Sequence, residues 1–295
     1  MRSQKRRTAG AIVNAMAPPR ATSSDRLEDP ATDPVAVAAD AAAIIADRTG
    51  IAEYPIAVTL GSGWGRTAEQ LGDTVAEIPA SELPGFSASG VPGHVGSVRS
   101  VRLADGRAVL VLGARTHLYE NRGVRAVVHG VRVAAALGAR TMVLTNGAGG
   151  IDPEWAPGTP VLIRDHINLT GTSPLEGPQF VDLTDLYSAR LRAIARSVQP
   201  GLDEGVYVQF RGPQYETWAE VAMARTIGGT IVGMSTALEA IAARAAGLDV
   251  LGFSLITNHA AGVQSEPLAH DDVLQAGRAA EPVLAALLAK VITAL

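Results

Sequence analysis

The chain has 295 residues, 47% of them hydrophobic and 18% charged, with a net charge of −4. That is a globular composition with an aliphatic core, since only 4% of residues are aromatic. The absence of cysteine excludes disulfides and thiolate metal sites. The lack of a basic run beyond the N-terminus removes the electrostatic footprint of a nucleic-acid binder, and no apolar run reaches the roughly 18–20 residues of a membrane-spanning helix.

Residues 1–24 carry five basic side chains (Arg2, Lys5, Arg6, Arg7, Arg20) and no acidic one, and residues 25–34 turn acidic with prolines. This stretch is expected to be a disordered extension over residues 1–34. The other reading, a targeting signal, has a short apolar stretch over residues 9–17, broken by Asn14.

From residue 35 the chain alternates helices and strands. Residues 35–48 are Ala-rich and apolar at helical spacing, ending near Gly50. Residues 56–60 read as a buried strand running into Gly61. Residues 95–103 and 108–112 read as two strands joined by Asp105-Gly106. A helix follows at 124–137, then strands at 141–144 and 161–163, a helix at 188–198 and a strand at 205–209. A helix at 215–227, a short strand at 231–232, a helix at 238–246, a strand at 250–256 and a long helix at 271–295 complete the pattern. The alternation predicts one α/β domain over residues 35–295. Its central β-sheet, mixed because of the hairpin, is flanked by helices on both faces.

Polar residues collect where these strands end, which is where open α/β sheets place their ligands. Gly61, Gly63 and Gly65 surround Ser62 in a turn whose amides and hydroxyl can face an anion. Taken alone it is only a turn, because Arg66 stands where a dinucleotide fingerprint needs its last glycine. Arg115, His117 and Tyr119 alternate, so an extended backbone projects them to one side, and a guanidinium there suits an oxyanion. Taken alone, this pair also fits a surface arginine and a structural histidine. His166 lacks a partner at metal-ligand spacing and fits a packing role. Ser235 is no hydrolase elbow, since Ala237 stands where that pattern needs glycine.

The joint order of the blocks is more specific than any one of them. VTLGSGWG, PGHVGSV, GARTHLYEN, LTNGAGG, IRDHINLTG, GPQYETWAE, GMSTALEA and FSLITN follow one another over about 250 residues, from near Ile44 to the C-terminus. In that order they resemble the trimeric, six-oxopurine-specific family of purine nucleoside phosphorylases.

The resemblance implies a nucleoside phosphorylase-like fold. It also implies cleavage of inosine or guanosine, or their deoxy forms, by phosphate to free base and (deoxy)ribose 1-phosphate. Ser62, Arg115, His117 and Ser235 match the phosphate site. Tyr119, Met234 and His270 match ribose contacts, and Phe180 matches the aromatic that a neighbouring subunit lends to the ribose pocket. Glu216 and Asn258 match the readers of the purine, with Asn146 and Gly147 on an adjoining loop. Asn258, Glu216 and His117 are thereby implied as catalytic. No metal or cofactor is implied, phosphate being a cosubstrate, and the assembly implied is a cytoplasmic homotrimer.

Trp64 replaces a usual leucine and His259 stands at a variable position; both are expected to shape the pocket. A methylthioadenosine phosphorylase is the nearest alternative, although an aspartate at position 258 would suit its six-amino purine better than Asn258 does. A non-catalytic nucleoside binder has no use for Arg115, His117 and Ser235, and a hydrolase would act without phosphate.

Overall fold

The computed structural model describes residues 26–87, 96–263 and 270–295, the side chains of residues 270–272 excepted. Chain order runs α1 (Pro34–Thr49), β1 (Ile56–Thr59), α2 (Thr67–Leu71), β2 (Asp73–Pro79), β3 (Ser97–Arg102) and β4 (Ala108–Leu112). Then come α3 (Gly123–Val127), α4 (His129–Ala136), β5 (Thr141–Gly150), β6 (Pro160–Asn168), α5 (Ala189–Val198) and β7 (Asp203–Gln209). The chain ends with α6 (Trp218–Thr226), β8 (Ile231–Gly233), α7 (Ala237–Ala245), β9 (Asp249–His259) and α8 (His270–Ala294).

The nine strands form one mixed sheet in the order β2-β3-β4-β1-β5-β8-β7-β6-β9, with β9 also paired to β5. That last, parallel pairing closes β5, β8, β7, β6 and β9 into a ring. Alternation along the flat part sorts the core into two layers. Ala57, Leu110, Met142 and Leu144 face α1, α4 and α7. Val58, Val109, Val111 and Val143 face α2, α5 and α8. A smaller cluster joins Val221 and Ala224 of α6 to Val208 and Val232. The expected mixed sheet with helices on both faces is therefore the observed architecture.

Several elements differ from expectation for identifiable reasons. Helix 124–137 breaks at Val128, whose ψ of 7° interrupts the ladder and separates α3 from α4. Strand β2 was not legible because only Ile78 among its residues is buried, so it shows no apolar alternation. β5, β6 and β9 run well past their apolar segments, and Asn146, Gly147, His166 and Asn258 lie within strands rather than after them. These extensions are hydrogen-bonded across bulges at Ala148/Gly149 and Ile163/Asp165.

The disordered extension expected over residues 1–34 is corrected at its described end. Residues 1–25 lie outside the described residues. Leu27, in contrast, is buried against Val37 and Ala126, and Arg125 Nη1 donates to the carbonyls of Asp29 and Thr32 at 3.1 and 3.0 Å. Asp33 caps α1 by accepting from Val35 N at 2.8 Å. Residues 26–33 thus pack on the domain. His166 has the packing role expected: its Nδ1 pairs with the Tyr187 hydroxyl at 2.9 Å, and burial pushes its pKa down to about 4.

Candidate active site

A cavity of about 410 Å³ opens where the closed ring meets the flat part of the sheet. Ser62, Arg115, His117, Tyr119, Asn146 and Gly147 line it from the β1, β4 and β5 side. Glu216, Met234, Ser235 and Asn258 line it from the segments after β7 and β8 and from β9.

The glycine turn after β1 exists for steric reasons. A Cβ on Gly61 would lie 2.6 Å from Thr145 O and 2.8 Å from Arg115 Nη1. Only glycine lets the arginine pass and donate to that carbonyl, at 2.7 Å. Nε of Arg115 lies 3.1 and 3.3 Å from the two carboxylate oxygens of Glu239. Nη2 is left buried without a partner. His117 follows two residues on, its ring stacked on Tyr119 at 4.8 Å and 13°. Its backbone N–H donates to Glu120 at 2.6 Å. Burial pushes the Glu120 carboxyl up, but the bonds from His117 outweigh this and hold it below the ordinary range. Burial pushes Tyr119 up to about 12, so it stays a neutral phenol.

Strand β8 ends in the Ser235–Thr236 turn. Tyr207 Oη accepts from Ser235 N at 3.2 Å, and Gln209 Oε1 accepts from Ala237 N at 2.8 Å at the start of α7. Thr236 takes φ +80°, a strained value for a β-branched residue, worth about 1–3 kcal/mol. It is held there because Asn146 Nδ2 donates to its hydroxyl at 2.9 Å.

The remaining wall reads polar edges. Glu216 is buried with Oε1 unpartnered, and burial raises its pKa above the usual carboxylate value. Asn258 is oriented by two bonds: Thr257 Oγ1 donates to its Oδ1 at 2.8 Å, and its Nδ2 donates to His259 O at 2.9 Å. The cavity therefore offers a spare guanidinium donor, two serine hydroxyls, a spare carboxylate acceptor and an oriented amide. Among the described residues no group of three or more His, Asp or Glu is placed to hold a metal. No helix among them is long and apolar enough to cross a membrane.

The family model described as the phosphorylase superfamily matches residues 55–293. The chain belongs to the phosphorylase superfamily. Among its relatives in that superfamily, the purine nucleoside phosphorylase of Cellulomonas sp is 61% identical over 273 residues, covering 91% of this chain and 97% of that one. That of Mycobacterium tuberculosis is 54% identical over 266 residues, covering 90% and 99%. Among solved structures, Schistosoma mansoni purine nucleoside phosphorylase in complex with inosine superposes with a TM-score of 0.79 at 31% identity. It covers 88% of this chain and 96% of that one.

Ten of the residues singled out in the sequence meet in this phosphorylase cavity. Phe180 does not: it is 97% exposed and lines no part of it. His270 opens α8, but its side chain lies outside the described residues, as does most of the PGHVGSV block.

Two expectations about pocket shape are corrected. Trp64 is fully buried beneath the site, 5.9 Å from Phe253, with Nε1 donating to Asn146 O at 3.0 Å. His259 touches the site through its backbone carbonyl. Neither side chain lines the cavity. Thr257, Tyr215 and Val273 also line the cavity, and Glu239 lies behind its wall; the sequence assigns none of the four a role. Glu239 was legible only as the end of a capping signature, Thr236-x-x-Glu239.

Proposed function

We infer that this enzyme cleaves the N-glycosidic bond of six-oxopurine (deoxy)nucleosides with inorganic phosphate, releasing the free purine and (deoxy)ribose 1-phosphate, a salvage reaction. The observation that carries the reading is that two of the three unsatisfied buried groups of one cavity, Arg115 Nη2 and Glu216 Oε1 (the third being Asn146 Oδ1), are a donor and an acceptor on opposite walls. Each complements one substrate, the guanidinium donor facing phosphate oxygens and the carboxylate acceptor facing the proton on ring nitrogen one. Native proteins leave such groups unpaired where a ligand completes them.

Phosphate is received by Arg115 Nη2, Ser62, His117 and Ser235, and held beneath the anomeric carbon. There its oxygen forms the new bond as the bond to the purine breaks, a positioning effect. The state between is a ribosyl cation in character, as in glycoside cleavage. Tyr119, Met234 and His270 hold the ribose. Asn258 donates to the purine as negative charge develops on it, and Glu216 accepts from the proton on ring nitrogen one. Asn146 and Gly147 form the adjoining wall. Phosphate is a cosubstrate, and no metal or cofactor takes part. The enzyme works as a cytoplasmic homotrimer, in which the bare ring of Phe180 covers the ribose of a neighbouring copy.

The test is release of hypoxanthine from inosine with and without phosphate, with methylthioadenosine in parallel. Phosphate-dependent cleavage of inosine alone is the expected result. Turnover without phosphate, or preference for methylthioadenosine, refutes the reading.

A further inference from the structure

Glu239 is not part of the cavity wall, yet it touches two elements that are. Its carboxylate and the Arg115 guanidinium are 4% and 2% exposed and lie 3.1 Å apart. The same Oε2 that faces Arg115 Nε accepts from Thr236 N at 3.1 Å. Thr236 in turn bonds the Ser235 hydroxyl at 3.2 Å and receives Asn146 Nδ2. Behind the pair lies a small pocket of about 10 Å³ walled by Phe86, Val127 and Val131. One carboxylate therefore spans two segments that are distant in sequence, the strand end carrying Arg115 and the strained turn carrying Ser235.

We propose that Glu239 is a positioning residue of the phosphate site, fixing Arg115 and the Ser235–Thr236 turn in the relative placement in which Arg115 Nη2 and Ser235 Oγ address one phosphate. It acts through those two groups and not on the substrate. The effect is one of preorganisation. With Nε bound to Glu239 and Nη1 to Thr145 O, the guanidinium has no rotation left and presents one edge. Released from Glu239, a long side chain regains rotamers that it must lose again on binding the anion, and the turn bearing Ser235 loses the acceptor for Thr236 N. The cost falls on phosphate, not on the nucleoside.

This inference rests on Arg115 and Ser235 binding phosphate, and the experiment separates the two. Full-length Glu239→Ala, Glu239→Gln, Glu239→Asp and Arg115→Ala are assayed with phosphate varied at saturating inosine, and then with inosine varied at saturating phosphate. Glu239→Ala is expected to raise the phosphate KM about ten- to thirtyfold and to leave the inosine KM within about twofold. Glu239→Gln keeps an oxygen where both donors point and is expected to stay within about threefold of wild type. Glu239→Asp keeps the charge but is one methylene short, and is expected to be worse than Glu239→Gln.

A phosphate KM unmoved in Glu239→Ala, a parallel rise in both KM values, or Glu239→Gln no better than Glu239→Asp overturns the proposal. Where Glu239→Ala does not fold, the order of Gln and Asp decides. If Arg115→Ala itself leaves the phosphate KM unchanged, the phosphate-site reading fails first. If Arg115→Ala raises it and the Glu239 variants do not, only the positioning role is lost.

Discussion

Asn258→Asp is the sharpest test of how the base is chosen. In the structure the Asn258 amide is 9% exposed and locked by the Thr257 hydroxyl on its oxygen and by the His259 carbonyl on its nitrogen. The lock leaves one N–H free to donate to the six-oxo oxygen or ring nitrogen seven of a purine. Aspartate keeps the bond from Thr257 but sets its second oxygen against the His259 carbonyl, where the amide nitrogen now sits at 2.9 Å. Opposed buried acceptors and the lost donor to the base together cost about 2–4 kcal/mol. That is roughly a thirty- to thousandfold fall in kcat/KM for inosine. Adenosine gains one acceptor for its six-amino group, worth about 1 kcal/mol. Glu216 still faces the lone pair of ring nitrogen one, so adenosine rises by no more than about tenfold.

The assay is kcat/KM for both nucleosides at saturating phosphate, in wild type and variant. Thr257→Val serves as a control: it frees the amide to turn and should weaken inosine about fivefold without helping adenosine. A wild type that prefers adenosine, or a variant whose ratio moves less than tenfold toward adenosine, refutes the role given to Asn258.

Arg115→Ala and His117→Ala should each raise the phosphate KM about ten- to a hundredfold, the loss of a charge-assisted hydrogen bond. Arg115→Ala should also lower stability by about 3–5 kcal/mol, because it strands Glu239 as a buried charge, a loss that calorimetry will register. Burial raises the Glu216 pKa, so as pH falls this carboxyl becomes a donor that suits ring nitrogen one of adenine; the inosine-to-adenosine ratio of kcat/KM should fall with it. A flat ratio from pH 8 to pH 5 contradicts this. Burial depresses His129 to about 4, so between roughly pH 6.5 and 4 the unfolded chain binds a proton that the folded one does not. Stability should fall through that window as pH drops, with proton uptake on unfolding at pH 5 measured in two buffers of different ionisation enthalpy. Deleting residues 1–33 should cost about 2–4 kcal/mol through the buried Leu27 side chain and the Asp33 cap. An unchanged melting temperature would show that these contacts contribute nothing.

The sequence made the layers of the fold legible because its strands and helices carry different apolar periods, as Ala57/Val58 and Val109/Leu110 illustrate on opposite faces of one sheet. It did not reveal the ring. Closure depends on β5 continuing past its apolar half through Asn146 and Gly147 to Gly149 and Gly150, which pair with β8, and small polar residues there read as loop. The polar residues of the cavity were legible through block order. What supports them was not: Tyr207 and Gln209 lie far in sequence from the turn they hold, Glu239 lies far from Arg115, and nothing in a single chain of letters pairs position 115 with position 239. Trp64 shows the converse error, since an unusual aromatic beside a polar turn invites a place in the pocket and instead carries the floor beneath it.

Ring closure also bears on how the protein behaves when crowded. A sheet normally exposes two unpaired borders, each able to recruit another chain. Here one border is used up by the β5–β9 seam, so among the described strands β2 alone remains open to a stranger. Its ladder to β3 is interrupted by a bulge between Thr74 and Ala76, it carries Asp73 and Glu77, and it stops at Pro79, which has no N–H to offer. The one border left for fibril growth among the described strands is thus charged and kinked. Mutations that straighten or neutralise β2 should promote association between copies without touching a single cavity residue.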